Sequence, residues 1–172
     1  MKSLESNILP APVKAVDGDD LEAMVELGLV YYQGETVERD YAGAMKLLLR
    51  AGSLGSAEAQ YAVGLMYVLG QGTEVNYREG LHWLKLAAGR GYAKAQYNLG
   101  LMYYRARGVP LDYVSAYAWV ALAASSASGP GAREYADFRN LIARRMNPTE
   151  LAQAKRLERE WGVCRKIVSS AP

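Results

Sequence analysis

The stretch AEAQYAVGLMYVLGQGTEVNYREGLHWLKLAAGRGY, residues 57–92, decides the fold because the chain repeats it on both sides without a gap. Residues 93–128 carry the same residue at 14 of these 36 positions, and residues 21–56 form a more divergent copy. A fixed period of this length is typical of solenoids, in which each unit buries its apolar face only against its neighbours. The repeat therefore favours binding over catalysis as the function.

Each copy predicts two antiparallel helices. In the second copy, apolar residues recur at three- and four-residue steps over residues 57–69, which indicates an amphipathic helix. Gly70 is expected to end this helix, since glycine accepts the left-handed conformation that closes helices. A second helix is predicted over residues 77–89 with Asn76 as its N-cap, and Gly91 permits the turn into the next copy.

A glycine recurs in the middle of each first helix, at Gly28, Gly64 and Gly100. Glycine in a helix interior costs about 1 kcal/mol relative to alanine, so its regular return implies a packing reason. We expect the two helices of each repeat to approach closely there, with small residues opposite: Ala44, Gly80 and Ala116. Gly64→Leu is then expected to destabilise the fold by about 1–3 kcal/mol.

The regions outside the repeats predict a leader and a helical cap. Residues 1–18 indicate an extended leader, and Asp19 or Asp20 is a candidate helix cap. After the three repeats (21–56, 57–92 and 93–128), residues 129–162 predict two capping helices, followed by a tail over residues 163–172.

The first capping helix is predicted over residues 132–146, and its inward residues are expected to be Tyr135, Phe138, Leu141 and Ile142. Asn147-Pro148-Thr149-Glu150 is a helix start with a cap residue and an acid three positions later. The second helix is expected to continue to about Trp161. Together the two helices would cover the apolar face of the third repeat.

Composition excludes several classes of protein. The net charge of +2 is too small to indicate nucleic-acid binding. This charge is unevenly distributed, with a net −4 over residues 1–56 and a net +4 over residues 131–172. Cys164 is the only cysteine, so no intrachain disulfide is possible. No apolar run approaches the roughly 20 residues of a membrane span, and the first residues lack the apolar core of a signal peptide. The chain is expected to be cytoplasmic as written, or periplasmic if a signal peptide has been removed.

The pattern Ala-x-Ala-x-x-x-(Leu/Val)-Gly-x-x-Tyr, followed by Gly-x-Gly, Asp/Asn-Tyr, Ala, Trp and Ala-Ala, resembles the Sel1-like repeat family, a relative of the tetratricopeptide repeat. The resemblance covers residues 21–128, and residues 146–161 resemble the capping segment of bacterial members. It implies an all-α fold, an α/α right-handed superhelical solenoid, and a non-enzymatic bacterial adaptor. A cysteine-rich branch linked to β-lactam or cell-wall compounds is not supported, because the chain has only Cys164.

The sequence offers no catalytic or metal constellation. His82 is the only histidine and belongs to no zinc motif. Gly70-Gln71-Gly72 lacks the lysine of a phosphate loop, and no Gly-x-Ser-x-Gly elbow is present. Adjacent cations could lower the pKa of the Cys164 thiol, but no partner base is indicated. We therefore expect that the chain is not an enzyme and that it binds neither a cofactor nor a metal ion.

The binding surface is predicted on the first helices, which by analogy with tetratricopeptide repeats line a concave groove. The candidate binding residues are Leu29, Tyr32, Tyr61, Leu65, Val68, Lys94, Tyr97, Leu101, Tyr104 and Arg105. Glu22, Val25, Gln33, Glu58 and Leu69 belong to the same predicted face. Aromatic and arginine side chains are typical of interaction hot spots. Alternatively, some of these residues pack between helices, as Tyr31, Tyr67 and Tyr103 are expected to do.

Three hypotheses for the function remain open. The first is a protein–protein interaction module whose groove takes a peptide or a helix of one partner. The second is an inhibitor or immunity-type protein that blocks a partner enzyme with the same surface. The third is a binder of cell-wall fragments or β-lactams. The expected partner is a protein and neither nucleic acid nor membrane, and the chain is expected to be a monomer or a weak homodimer.

Overall fold

The computed structural model describes the backbone of residues 20–169 and the side chains of residues 20–162. Within these limits the chain forms eight α-helices and no strand. They are α1 (Leu21–Gln33), α2 (Tyr41–Ser53), α3 (Ala57–Leu69), α4 (Tyr77–Gly89), α5 (Ala93–Tyr104), α6 (Tyr113–Ser126), α7 (Pro130–Ala143) and α8 (Pro148–Ser169). The predictions for the leader, the Cys164 thiol and the side chains of the tail lie outside the described residues.

The helices pack in chain order, as a solenoid requires. Within each repeat the first helix packs on the second, and each second helix packs on the first helix of the next repeat. The buried side chains form three successive clusters, around α1–α3, around α4 and α5, and around α6 with α7 and α8. The prediction of an all-α helical repeat solenoid is confirmed.

The expected boundaries of α3 and α4 agree with the structure, because local capping defines them. The Asn76 side chain accepts a hydrogen bond from the backbone N–H of Glu79 at the start of α4. Gly70 ends α3 in the left-handed conformation with φ 70°. Asp20 caps α1 by accepting hydrogen bonds from the N–H groups of Glu22 and Ala23.

A backbone hydrogen bond closes the loop inside each repeat. The N–H of the residue that caps the second helix donates to the carbonyl of the recurring tyrosine in the last turn of the first helix. The pairs are Asp40–Tyr31 at 3.0 Å, Asn76–Tyr67 at 2.8 Å and Asp112–Tyr103 at 3.3 Å. These three tyrosines are half-buried, so they contribute to the packing of each repeat.

The glycines of the first helices lie where the two helices of a repeat meet. A Cβ atom on Gly64 would stand 2.8 Å from Leu84 Cγ and 3.2 Å from the Gly80 carbonyl oxygen. The same atom on Gly28 would stand 2.8 Å from Leu48 Cγ. The close approach is therefore present. The atom nearest to each of these two Cβ positions belongs to a leucine four positions after the expected small residue: Leu48 follows Ala44, and Leu84 follows Gly80. Of the expected small residues, Gly80 contributes its carbonyl oxygen to the contact with Gly64.

Glycines in the loops join neighbouring repeats. Gly72 has φ 73°, and a Cβ there would stand 2.6 Å from the carbonyl oxygen of Tyr41 in the preceding repeat. Gly108 has φ 71° and lies against Tyr77 in the equivalent way. Both the backbone conformation and the close approach require glycine, which explains why these positions match across repeats two and three.

The last two helices differ in detail from the sequence expectation. α7 begins at Pro130 instead of residue 132, since proline suits the first turn of a helix, and it ends at Ala143 instead of residue 146. α8 continues past Trp161 to Ser169. Gly162 does not stop the helix, because one interior glycine costs only about 1 kcal/mol.

Leu141 was expected to point inward and is 45% exposed, so that expectation was wrong. Tyr135, Phe138 and Ile142 follow the i, i+3, i+7 spacing of one helical stripe, and Leu141 lies beside it. Ile142 is fully buried in the cluster formed with α6.

α7 and α8 both pack against α6. Asn147 and Glu150 form the expected reciprocal cap, each side chain accepting from the other residue's N–H at 2.9 Å. The rings of Trp119 on α6 and Trp161 on α8 lie 4.6 Å apart between centroids. The apolar surface of α6 is thereby covered on its far side.

Candidate functional site

The first helices of the repeats, α1, α3 and α5, bury the side chains along one face and leave those along another face accessible. On α3 the stripe formed by Ala59, Val63 and Met66 is fully buried against the second helices. Leu65 is half-buried and Leu69 is 51% exposed, although both are large and apolar. An accessible apolar row on a helix that also packs on its other side is a candidate binding surface.

Three depressions follow one another along this side of α3. The first, of about 450 Å³, is lined by Asp20, Leu21, Glu22, Val25, Ser56 and Glu58. The second, of about 170 Å³, is lined by Leu29, Tyr32, Gln33, Glu58, Tyr61, Ala62, Leu65, Tyr92 and Lys94. The third, of about 230 Å³, is lined by Leu65, Val68, Leu69, Asn98, Leu101, Met102, Arg105 and Arg107.

The depressions adjoin one another because they share lining residues. Glu58 belongs to the first and the second, and Leu65 belongs to the second and the third. We call the combined surface the α3 trough. It runs along α3 from its first turn to its last: α1 lines the first two depressions, and α5 lines the last two.

Tyr61 lies at the centre of the α3 trough. Its ring contacts Tyr92, with the centroids 5.1 Å apart, and its hydroxyl oxygen accepts a hydrogen bond from Asn98 Nδ2 at 3.4 Å. Burial, together with the neighbouring Tyr92, raises the pKa of Tyr61 to about 12. The hydroxyl therefore stays protonated at neutral pH, and no described residue accepts its proton. That proton is available to an acceptor on a bound molecule.

Tyr32 forms the α1 side of the middle depression and is held by a short chain of hydrogen bonds. Its hydroxyl donates to Gln71 Oε1 at 2.8 Å, and Gln71 Nε2 donates to the Tyr41 hydroxyl at 3.3 Å. Burial is the largest cause that raises the pKa of Tyr32, and Tyr41 adds to it. An aromatic ring fixed in this way loses little conformational freedom when it contacts a partner.

Eight of the ten predicted site residues line the α3 trough, and Tyr97 and Tyr104 do not. Tyr97 stacks on Tyr135 of α7 at 4.5 Å, and its hydroxyl donates to Glu134 Oε1 at 3.1 Å. Tyr104 packs edge-on against Phe138 at 5.2 Å. α7 lies beside α5 and uses both rings for packing. The burial of Tyr97 and its bond to Glu134 raise its pKa to about 12.

Several lining residues were not predicted. Tyr92 precedes α5 at an inter-repeat turn, where the preceding repeat has Ser56. Asn98 lies on α5 and Arg107 follows it. Asn98 contacts Tyr61 through a hydrogen bond and Tyr92 contacts it through its ring, and neither contact follows from repeat position.

Nothing in the described residues forms a reactive constellation. No group of three or more His, Cys, Asp or Glu side chains that could hold a metal ion occurs among them. His82 is exposed and lies edge-on to Trp83, with the ring centroids 5.8 Å apart. Of the helices in the described part of the chain, none is long and apolar enough to span a membrane.

The solved structures that are similar to this chain include two bacterial proteins. One is a protective antigen present in uropathogenic Escherichia coli strains that displays an SLR fold, with a TM-score of 0.75 and 27% identity over 83% of this chain and 30% of that chain. The other is a Sel1 repeat protein from Oxalobacter formigenes, with a TM-score of 0.61 and 29% identity over 66% of this chain and 46% of that chain. The chain thus spans less than half of either relative. No curated protein sequence matches it.

The family model of the Sel1 repeat matches residues 21–56, 57–92 and 93–128. These matches are consecutive and cover well over half of the chain. The capped helix pairs and the recurring glycines of α1, α3 and α5 are the structural form of the repeat. The chain therefore belongs to the Sel1 repeat family.

Proposed function

We propose that this chain is a protein–protein interaction module that binds a peptide segment of one partner in the α3 trough. Sel1 repeats generally mediate protein–protein interaction, and proteins of this fold are typically non-catalytic. The observation that carries the proposal is the continuity of the three depressions along α3, through Glu58 and Leu65.

The lining of the trough has the composition of an interaction surface. Half-buried tyrosines at residues 32, 61 and 92 line the middle depression together with Leu65, and the exposed Leu69 lines the third depression. Tyrosine combines a large apolar contact area with a polar tip, and such residues often dominate binding energy. The rim carries charged residues, and a polar rim around an apolar centre is typical of specific interfaces.

The test is site-specific photo-crosslinking in the cells that produce the protein. A photoreactive amino acid replaces the exposed Leu69 in the trough, and a second variant carries it at the exposed Lys85 of α4, which lies outside the trough. The proposal predicts a discrete protein adduct from position 69 that position 85 does not give. An adduct from position 85 alone would place the partner on the second helices and contradict the proposal.

A further inference from the structure

The charged residues that line the α3 trough are divided by sign along it. Asp20 and Glu22 at the α1 side and Glu58 on α3 are acidic, whereas the residues from α5 and its following loop are basic: Lys94, Arg105 and Arg107. All six are exposed. The first depression therefore has only acidic charged residues and the third has only basic ones. The middle depression between them has one of each, Glu58 and Lys94, beside its apolar and aromatic side chains.

These charges are not neutralised within the described part of the chain. None of the six forms an ion pair with another described residue. The carboxylate of Asp20 is occupied in part, because it caps α1, whereas the carboxylate of Glu22 and the guanidinium of Arg107 form no hydrogen bond with the described residues. Charges left unpaired on the two ends of a groove favour a ligand with the opposite order of charges.

The dimensions indicate an extended ligand. From Glu58 to Leu69 the trough follows eleven residues of α3, about 16 Å at 1.5 Å per residue. An extended peptide covers that length with about five residues at about 3.3 Å each. The middle depression of about 170 Å³ is too small to seat a helix about 10 Å across. Separate small depressions suit single side chains of an extended strand.

We propose that the α3 trough binds an extended, dipolar segment of a partner protein. A basic side chain of that segment lies against Glu22 and Glu58, apolar side chains contact Tyr61 and Leu65, and an acidic side chain lies against Arg105 and Arg107. This inference rests on the proposed function and adds the order of charges that the partner carries.

The test is a selection from a displayed library of random seven-residue peptides on the immobilised full-length chain at low salt. The wild type is expected to select peptides with a basic residue near one end, apolar residues in the middle and an acidic residue near the other end. Replacing the acidic residue of a selected peptide by glutamine is expected to weaken its Kd about tenfold, and much less at high salt.

Charge reversal in the protein gives the decisive comparison. Arg105→Glu combined with Arg107→Glu is expected to select peptides that are basic at both ends. The control variant Arg144→Glu with Arg145→Glu makes the same change of net charge at exposed positions after α7 and should select the wild-type pattern. Circular dichroism must first show unchanged helicity for both variants.

The outcomes separate the two proposals. Selected peptides that share apolar residues but no order of charges would overturn the dipolar ligand and leave the interaction module intact. The same pattern selected by the Arg105→Glu/Arg107→Glu variant would also overturn it. Failure of any peptide to bind the wild type would contradict the proposed function itself.

Discussion

Leu84 packs directly over Gly64, so that a Cβ on residue 64 would stand 2.8 Å from Leu84 Cγ and 3.0 Å from its Cδ2. The backbone carbonyl of Gly80 lies 3.2 Å from the same position. α3 and α4 therefore meet at a distance that only glycine permits. Each repeat has such a glycine, and the packing of α1, α3 and α5 depends on it.

Gly64→Ala is expected to lower the free energy of unfolding by about 1–3 kcal/mol, because the added methyl overpacks this contact. This loss from overpacking outweighs the higher helix propensity of alanine, which favours it over glycine by about 1 kcal/mol in a helix interior. Gly89→Ala is the matched control, since Gly89 ends α4 with no atom within 4 Å of its would-be Cβ, and it should be neutral or stabilising. Urea denaturation measures both. A Gly64→Ala variant as stable as Gly89→Ala would contradict the packing account.

Neighbouring residues of α7 offer a second matched pair. Ile142 is fully buried against α6, whereas Leu141 is 45% exposed. Ile142→Ala is expected to cost about 2–5 kcal/mol, because it removes buried methylene groups and leaves a cavity. Leu141→Ala should cost at most about 0.5 kcal/mol. Equal losses in thermal or urea denaturation would show that α7 does not pack on α6 in this orientation.

We propose that α7 and α8 cap the solenoid. A chain that ends after Ser128 would expose the surface of α6 that contacts Tyr135, Ile142 and Ala154. Such a truncated chain is expected to lose helicity or to self-associate, and to bind a dye specific for apolar surfaces. Circular dichroism and light scattering report these changes. A truncated chain that is monomeric and retains the full helicity of the repeats would refute the capping role.

Alkaline pH is expected to destabilise the protein through Tyr61 and Tyr97. Their pKa values rise from 10.0 to about 12 on folding, so between these values the unfolded chain loses protons that the folded chain keeps. The free energy of unfolding therefore falls as pH rises through this window. Tyr61→Phe with Tyr97→Phe should reduce the slope, measured as the urea midpoint against pH. An unchanged slope would mean that the two phenols are not shielded.

The repeat register predicted most of the fold because each local signal agrees with the packing. The cap at Asn76 and the stop at Gly70 are properties of short sequence stretches, and the 36-residue period places them in space. The trough was predicted in part for the same reason. Leu29 and Leu65 occupy one repeat position and line one depression.

The packing of Tyr97 and Tyr104 against α7 could not be predicted from the repeat. Both occupy positions equivalent to trough residues, but α7 lies beside α5 and covers them with Tyr135 and Phe138. The periodicity ends at Ser128, so the repeat register does not indicate that α7 reaches these two positions of α5. The contact of Tyr61 with Tyr92 is likewise a tertiary contact between a helix and a turn.

The most direct test of the central claim compares two exposed leucines on different faces. Leu69 is 51% exposed in the α3 trough, and Leu86 is 40% exposed on α4 outside it. The measurement is the Kd of a library-selected peptide for the wild type, Leu69→Ser and Leu86→Ser, by fluorescence anisotropy. The account predicts about tenfold weaker binding for Leu69→Ser and no appreciable change for Leu86→Ser. Loss of binding in Leu86→Ser with wild-type affinity in Leu69→Ser would contradict it.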